Sequence, residues 1–364
     1  MRVFLYHWSI QDEEEEMTIR AYGIHENGET VCIHIRNFRP WMCVEVRTDL
    51  TDWTRHKTIL KNKILEFYNG PIEKPFHIIV RQKLYLSAQN ADRISYLKLR
   101  FPSIKSRRQC MYRLQNKKST LMGKKIELLC HEYEASPFLQ LLCQQNLYSN
   151  GWIDFEGLYV SDRRRCTQLI HEYSVDISKI EAVSDKNDVP DVVSMSFDLE
   201  VYSSDSKRMP DADNEEDVIF QISAVLQNMD RSVTRYILTL GHVVNHHIAD
   251  HVLQFMSEED LLMGFHDLIR KTNPHVIMGY NIFGFDIPYM VKRVHFHGLW
   301  NRWSVLGFSR FQSPVKEVSW SSSAYSYQEF HYLETEGRVW VDLLPIIKRD
   351  YKFSNYRLKT VATT

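Results

Sequence analysis

The residues with the clearest chemical potential in this 364-residue chain are closely spaced carboxylates. Along Val192 to Val201, strand alternation puts Met195, Phe197, Leu199 and Val201 on one face and Ser194, Ser196, Asp198 and Glu200 on the other. Two hard oxygen ligands separated by one residue suit Mg²⁺ or Mn²⁺, which bind through one or two carboxylates plus a substrate phosphate. A solvated strand face explains the same pair, and Asp154-Phe155-Glu156, read as a surface turn, shows how easily the pattern arises. From Gly279 to Pro288 a buried strand breaks into a helix, with Asp286 at the expected N-cap and Pro288 in the first turn. Asp286 either caps that helix, with Asn281 closing a turn, or supplies a third carboxylate. Three such groups can hold two metal ions that activate a water and stabilise the leaving oxygen of a phosphodiester, which is nuclease chemistry.

Other clusters carry less. Lys105, Arg107, Arg108, Arg113, Lys117, Lys118, Lys124 and Lys125 lie between Ser103 and Ile126 with no acid among them, a footprint for DNA phosphates or a solvated helix face. His242, His246, His247 and His251 have helical spacing but nothing to complete a metal site. Asp205 to Asp217 holds six acids against two bases and reads as a solvated loop away from any DNA path.

These residues need elements to position them, and the length allows about two or three domains, each with its own core. Hydrophobic content of 44% and charged content of 25% are those of a globular chain, and the net charge of -1 makes any nucleic-acid argument a local one. Six cysteines without a C-x-x-C pair read as buried reduced thiols in a reducing, intracellular compartment. No stretch is long and apolar enough for a membrane span, and no signal peptide is visible.

Strand signals at Val3–Ile10, Thr18–His25 and Thr30–Arg36 open the chain, with an acidic turn at Asp12–Glu16. Strand Met42–Arg47, helix Trp53–Tyr68, strands His77–Gln82 and Ile94–Phe101, helix Ile104–Gln115 and strand Lys125–Tyr133 follow. That β-α-β-β-α-β order is ferredoxin-like, an arrangement RNA-recognition modules share, but their aromatic signature is missing. Ser136–Asn146 reads as a helix, Gly151 opens a strand, and Ser161 to Asp191 is a polar stretch before a domain boundary near Pro190. Beyond it come strands Val192–Val201, Val218–Gln227 and Ser232–Leu240. A helix then starts at the Ser257-x-x-Asp260 capping box with Leu261, Phe265, Leu268 and Ile269 on one face, and Asn273-Pro274 stops it. Strand His275–Tyr280, a helix over Asp286–His297 and a long hairpin turning at Ser321–Ser326 complete the pattern.

Phe197-Asp198-Leu199-Glu200 resembles the first exonuclease motif of family B DNA polymerases, and Asn281-x-x-x-Phe285-Asp286 resembles their second. Tyr202-Ser203-Ser204, Asp217 to Ser223 and Gly337 to Pro345 are similar to the flanking phrases, in the manner of delta-type enzymes of eukaryotes and large DNA viruses. The resemblance is sharp over 191–359 and looser over 1–190. It implies an α/β (α+β) chain with an amino-terminal domain over 1–190 and an RNase H-like 3′-5′ exonuclease over 191–364. It further implies that Asp198, Glu200 and Asp286 serve Mg²⁺ or Mn²⁺, while Asn281 and Phe285 border the primer end. The third motif is expected beyond Lys359, where a helix begun near Ser354 looks unfinished, so the chain reads as a piece of a larger polymerase with weak or no exonuclease activity. Asp342, suited to an N-cap, is a poor substitute for the missing acid. The partners implied are primer-template and single-stranded DNA and a sliding clamp, at a nuclear or viral cytoplasmic replication site. The rival readings are a free-standing 3′-5′ exonuclease and a non-catalytic single-stranded DNA-binding module.

Overall fold

The computed structural model describes residues 1–12, 17–82, 93–243, 247, 249–322 and 326–363, so the acidic turn over 13–16, His246 and the hairpin tip lie outside the described residues. By contacts the chain divides into two compact units. One comprises 1–21, 33–159 and 173–187, and the other 22–32, 160–172 and 188–364.

The first half contains β1 (Arg2–Asp12), β2 (Met17–His25), β3 (Thr30–Arg36), β4 (Trp41–Thr48), α1 (Lys57–Phe67), β5 (Glu73–Gln82), β6 (Arg93–Arg100) and α2 (Ile104–Leu114). It continues with β7 (Lys117–Leu121), β8 (Lys124–His131), α3 (Pro137–Gln145), β9 (Gly151–Tyr159) and β10 (His171–Ala182). Strands β5-β6-β4-β8 form the expected ferredoxin-like sheet with every neighbour antiparallel, and β7 extends it at the edge. One sheet face buries Met42, Val44, Leu97, Leu99, Ile126 and Leu128 against Leu60 and Ile64 of α1 and Cys110 and Leu114 of α2. Strand β7 was hidden because Lys117 and Lys118 mask the alternation at an edge that only one neighbour supports.

Strands β1-β2-β3-β10-β9 close into a barrel. The polar stretch over 161–191 contains β10, whose Val175, Ile177 and Ile180 are buried between polar neighbours such as Asp176, Ser178 and Lys179. Asp154-Phe155-Glu156 is not a turn but part of β9, with Phe155 buried and Asp154 held by Arg2 at 2.7 Å. Of the cysteines, all free, Cys143 is exposed and Cys166 half-buried rather than core thiols.

The second half contains β11 (Ser194–Val201), β12 (Ile219–Gln227), β13 (Val233–Leu240), β14 (His251–Phe255), α4 (Glu258–Thr272), β15 (Val276–Gly279), α5 (Asp286–Phe296) and α6 (Trp300–Trp303). It ends with β16 (Val315–Ser322), β17 (Ser326–Leu333), β18 (Val339–Asp342), α7 (Leu343–Asp350) and α8 (Leu358–Thr363). The sheet order β14-β13-β12-β11-β15-β18, with β12 antiparallel to β11 and β15 and β18 parallel to it and to each other in turn, is the RNase H-like arrangement. Its core joins Met195, Phe197 and Leu199 to Ile222, Ala224 and Leu226 and to Leu261, Phe265, Leu268 and Ile269 of α4. Ser257 caps α4 by accepting the Asp260 N–H at 3.1 Å, and Asn273 ends it in the left-handed region, both as the sequence indicates.

The histidine cluster forms no helix among its described members. His251 opens β14 and stacks on Tyr236, while His242 meets Gln254. The final helix begins at Leu358 rather than near Ser354.

Candidate active site

Strand β11 is the base of the site. Its alternation is realised: Met195, Phe197 and Leu199 are buried, while Asp198 and Glu200 share the opposite, solvent-reached face. Pairing of β11 with β15 stops at Ser196, so the Leu199 N–H has no strand partner and is taken by the Asp286 carboxylate at 3.1 Å. Asp286 is therefore not the N-cap expected of it. Phe285 occupies that position, Asp286 is the first helical residue, and its side chain turns back to the strand instead of to its own helix.

Between β15 and α5 the backbone makes a tight turn. Asn281 adopts φ +64 and is exposed. A Cβ on Gly279 would lie 2.3 Å from Ile282 Cγ2 and 2.9 Å from the Phe197 carbonyl oxygen, and one on Gly284 would lie 2.7 Å from Asn281 Oδ1. Gly279 is thus set by close approach to the Phe197 backbone, which brings the turn against the strand that carries Asp198, whereas at Gly284 only the exposed Asn281 side chain would have to move. Phe285 is half-buried, its ring 5.6 Å from that of Tyr289.

Asp342 is the residue whose part in the site the sequence reading left out. It caps α7 through the Leu344 N–H at 2.9 Å, as expected, and also accepts from the Asn281 N–H at 2.8 Å and the Phe283 N–H at 3.0 Å. One buried carboxylate thereby fixes the turn that holds Asn281 and Phe285. Committed to three backbone donors, it is poorly placed to serve as a metal ligand. Sequence offered one signal, an acid at the end of the strand that pairs with β15, but the contact spans 61 residues.

The acidic segment over 205–217 is exposed at five of its six acids, as expected of a solvated loop, and only Asp217 turns inward. Asp217 is buried and accepts from the Ser204 N–H at 2.8 Å and the Asp211 N–H at 2.7 Å. Arg293 donates to the Ala212 and Asn214 carbonyls and pairs with Glu258 at 2.5 Å, and the Tyr289 hydroxyl donates to the Asp217 carbonyl.

The electrostatics of the acids follow from burial. Desolvation pushes the Asp286 carboxyl up to about 7, a rise opposed by the Leu199 N–H and reinforced by the charges of Asp198 and Asp342. Although solvent reaches Asp198, the protein around its carboxyl also raises it, again by desolvation. Among the described residues neither Asp198 nor Glu200 makes a hydrogen bond or ion pair, and Asp286 has one oxygen uncommitted. The three carboxylates are not gathered within 4.8 Å of one another as a set. Unneutralised oxygen donors around a partly desolvated acid fit hard divalent cations, whose charge would offset their repulsion.

The basic run is brought together only in part. Lys105, Arg108, Arg113, Lys117, Lys118, Lys124 and Lys125 are exposed on α2 and the β7–β8 hairpin. Arg107 is the correction: it is 2% exposed and donates to the carbonyls of Trp41 and Ala135 and to Gln140 Oε1, so it braces the interior and is not available to a phosphate.

Comparison with known proteins gives this geometry its family. Residues 130–361 match the family described as DNA polymerase family B, exonuclease domain. The chain is 34% identical to DNA polymerase 120R of Invertebrate iridescent virus 3, over 99% of this chain and 34% of that protein. It is 26% identical to the DNA polymerase delta catalytic subunit of Plasmodium falciparum, over 94% of this chain and 32% of that one. The fold is similar to that of the family B DNA polymerase from the hyperthermophilic archaeon Pyrobaculum calidifontis, with a TM-score of 0.67 at 18% identity, covering 100% of this chain and 39% of that one. The chain spans about a third of the length of the curated relatives it matches. With a family match running from β8 into α8, this chain belongs to DNA polymerase family B and carries its exonuclease domain.

Proposed function

We propose that the second unit is a divalent-metal-dependent 3′-5′ exonuclease that removes the terminal nucleotide of a mispaired DNA primer, within a protein that acts as a DNA-directed DNA polymerase. The observation that carries the reading is the set of three carboxylates, two from β11 and one from the first turn of α5, with no protein cation to neutralise them among the described residues. Asp198, Glu200 and the uncommitted oxygen of Asp286 would hold Mg²⁺ or Mn²⁺, which when bound supplies an activated water and charge for the leaving oxygen. Exposed Asn281 and half-buried Phe285, on a turn held by Asp342, would border the 3′ end in this reading. Asp286 must be ionised to act as a ligand, and hydrogen bonding from the Leu199 N–H favours that form.

Lys105, Arg108, Arg113, Lys117 and Lys118 are proposed to meet DNA phosphates, since they are exposed and no acid interrupts them. Primer-template and single-stranded DNA are the substrates of this reading, with a sliding clamp as the partner of the whole protein. The viral and eukaryotic DNA polymerases among its relatives support an intracellular site of action, in a nucleus or a viral cytoplasmic factory. No described helix is long and apolar enough to cross a membrane.

The test is digestion of a 3′-mismatched primer by this chain with Mn²⁺, with calorimetric Mn²⁺ binding alongside, and an Asp198→Ala, Glu200→Ala double variant as reference. Turnover resting on three carboxylates should be slow, and both Mn²⁺ binding and cleavage should be lost in the double variant. Metal binding and cleavage undiminished in that variant would overturn the reading.

A further inference from the structure

The sheet of the first unit has a second face, away from α1 and α2, that the exonuclease reading does not use. Its register places His77, Lys98, Cys43 and His131 side by side across β5, β6, β4 and β8, with Trp41 opposite Arg100 in the neighbouring row. Between this face and α3 lies a cleft of about 480 Å³ lined by Trp41, Arg81, Lys98, Glu132, Leu139 and Cys143, among others. That volume is within the usual range of small-ligand sites.

The walls are pre-built. Gln140, 4% exposed, accepts the Trp41 N–H at 3.1 Å and donates to the Trp41 carbonyl at 2.9 Å, and buried Arg107 donates to both. Glu132 accepts from Trp41 Nε1 at 3.0 Å and from Arg81 at 3.1 Å. Lys98 is different: its ammonium lies 3.6 Å from the centroid of the Trp41 ring, and among the described residues it has no hydrogen bond or ion pair. Burial, Arg100 and Arg81 lower its pKa to about 8, so the free site is short of negative charge. Of the groups lining the cleft, Lys98 and Arg81 are positive and Glu132 is negative, and Arg100 in the neighbouring row adds to the positive side. A phosphate monoester, with about -1.5 to -2 at neutral pH and three acceptor oxygens, can engage Lys98 and Arg81 together. Trp41 is 4% exposed under Lys98, so its ring offers no platform for a base.

We propose that this cleft binds a phosphate monoester, with Lys98 and Arg81 holding the phosphate oxygens and Leu139 and Cys143 covering the less polar part of the ligand. Such a group comes either from a free mononucleotide or from the 5′-phosphorylated end of a strand. The inference lies wholly within the first unit and does not depend on the exonuclease reading.

The experiment is calorimetric titration of the full chain in EDTA, which removes metal-assisted binding at the carboxylates, with thymidine 5′-monophosphate and with thymidine. The monophosphate should bind saturably and thymidine should not. Lys98→Met should weaken binding by about tenfold or more, and Lys179→Met, at an exposed position on the barrel, should leave it unchanged. Parallel titrations with 5′-phosphorylated and 5′-hydroxyl oligothymidylate separate the two sources, and preference for either phosphorylated ligand supports the site. Because Lys98→Met can fail to fold, the unmodified chain is also treated with pyridoxal 5′-phosphate and borohydride. Labelling should concentrate on Lys98 and be suppressed by the monophosphate. Equal binding of thymidine and its monophosphate, unchanged affinity in a folded Lys98→Met, or labelling spread evenly over surface lysines would each overturn the proposal.

Discussion

Asp286 is the residue at which the site's physics is most concentrated. With its carboxyl raised to about 7 in the folded chain, its protonated form is favoured by folding. The stability it contributes without metal is complete below the ordinary carboxylate range and is lost as pH rises from about 4 through about 7. Asp286→Asn should therefore raise the melting temperature at pH 8 in EDTA by roughly 4 °C or more, and flatten the pH dependence over that interval. A melting series in which wild type and variant run parallel would remove burial as the cause. Gly279→Ala should cost about 1–3 kcal/mol in urea unfolding, since its Cβ meets Ile282 and the Phe197 carbonyl with little room to yield. The glycine was legible in the sequence as a strand breaker, but the reason for it was not, because the obstructing carbonyl comes from a strand 82 positions earlier in the chain.

At the scale of elements, the Arg293–Glu258 pair links α5 to α4 and to the acidic segment. Burial by itself would raise Glu258, but hydrogen bonds from Arg293, His297 and the Ile219 N–H bring it below its ordinary value. Arg293→Met leaves that carboxylate buried without its main partner and should cost about 3–5 kcal/mol. It should also speed amide exchange at Ser204 and Asp211, whose N–H groups Asp217 holds. Exchange confined to the chain ends would contradict the linkage. Helix α4 was readable in advance because its cap, apolar face and stop are all local signals. The acidic segment is exposed at five of its six acids, as its charge density suggests, whereas the burial of Asp217 was not legible because Arg293 and Tyr289, which anchor the segment, lie on another element.

For the whole molecule, a net charge of -1 means that attraction to DNA must arise from local patches. Changing Lys117 and Lys118 together to Gln should reduce the salt slope of single-stranded DNA binding by about 0.7 per charge removed. An unaltered slope would assign that hairpin to a merely solvated edge. The sequence by itself determined the alternation that sets Asp198 beside Glu200, the β-α-β-β-α-β order, the capped helix α4 and the motif types that point to metal-assisted hydrolysis. All of these repeat or cluster within a few residues, so backbone periodicity and capping chemistry express them directly. Tertiary structure alone decided that Arg107 braces the interior, that β10 closes the barrel, that Asp286 reaches back to Leu199, and that Asp342 holds the turn around Asn281. Each of these depends on what a side chain meets across a long loop, where burial and the need to satisfy backbone donors, rather than local spacing, select the partner.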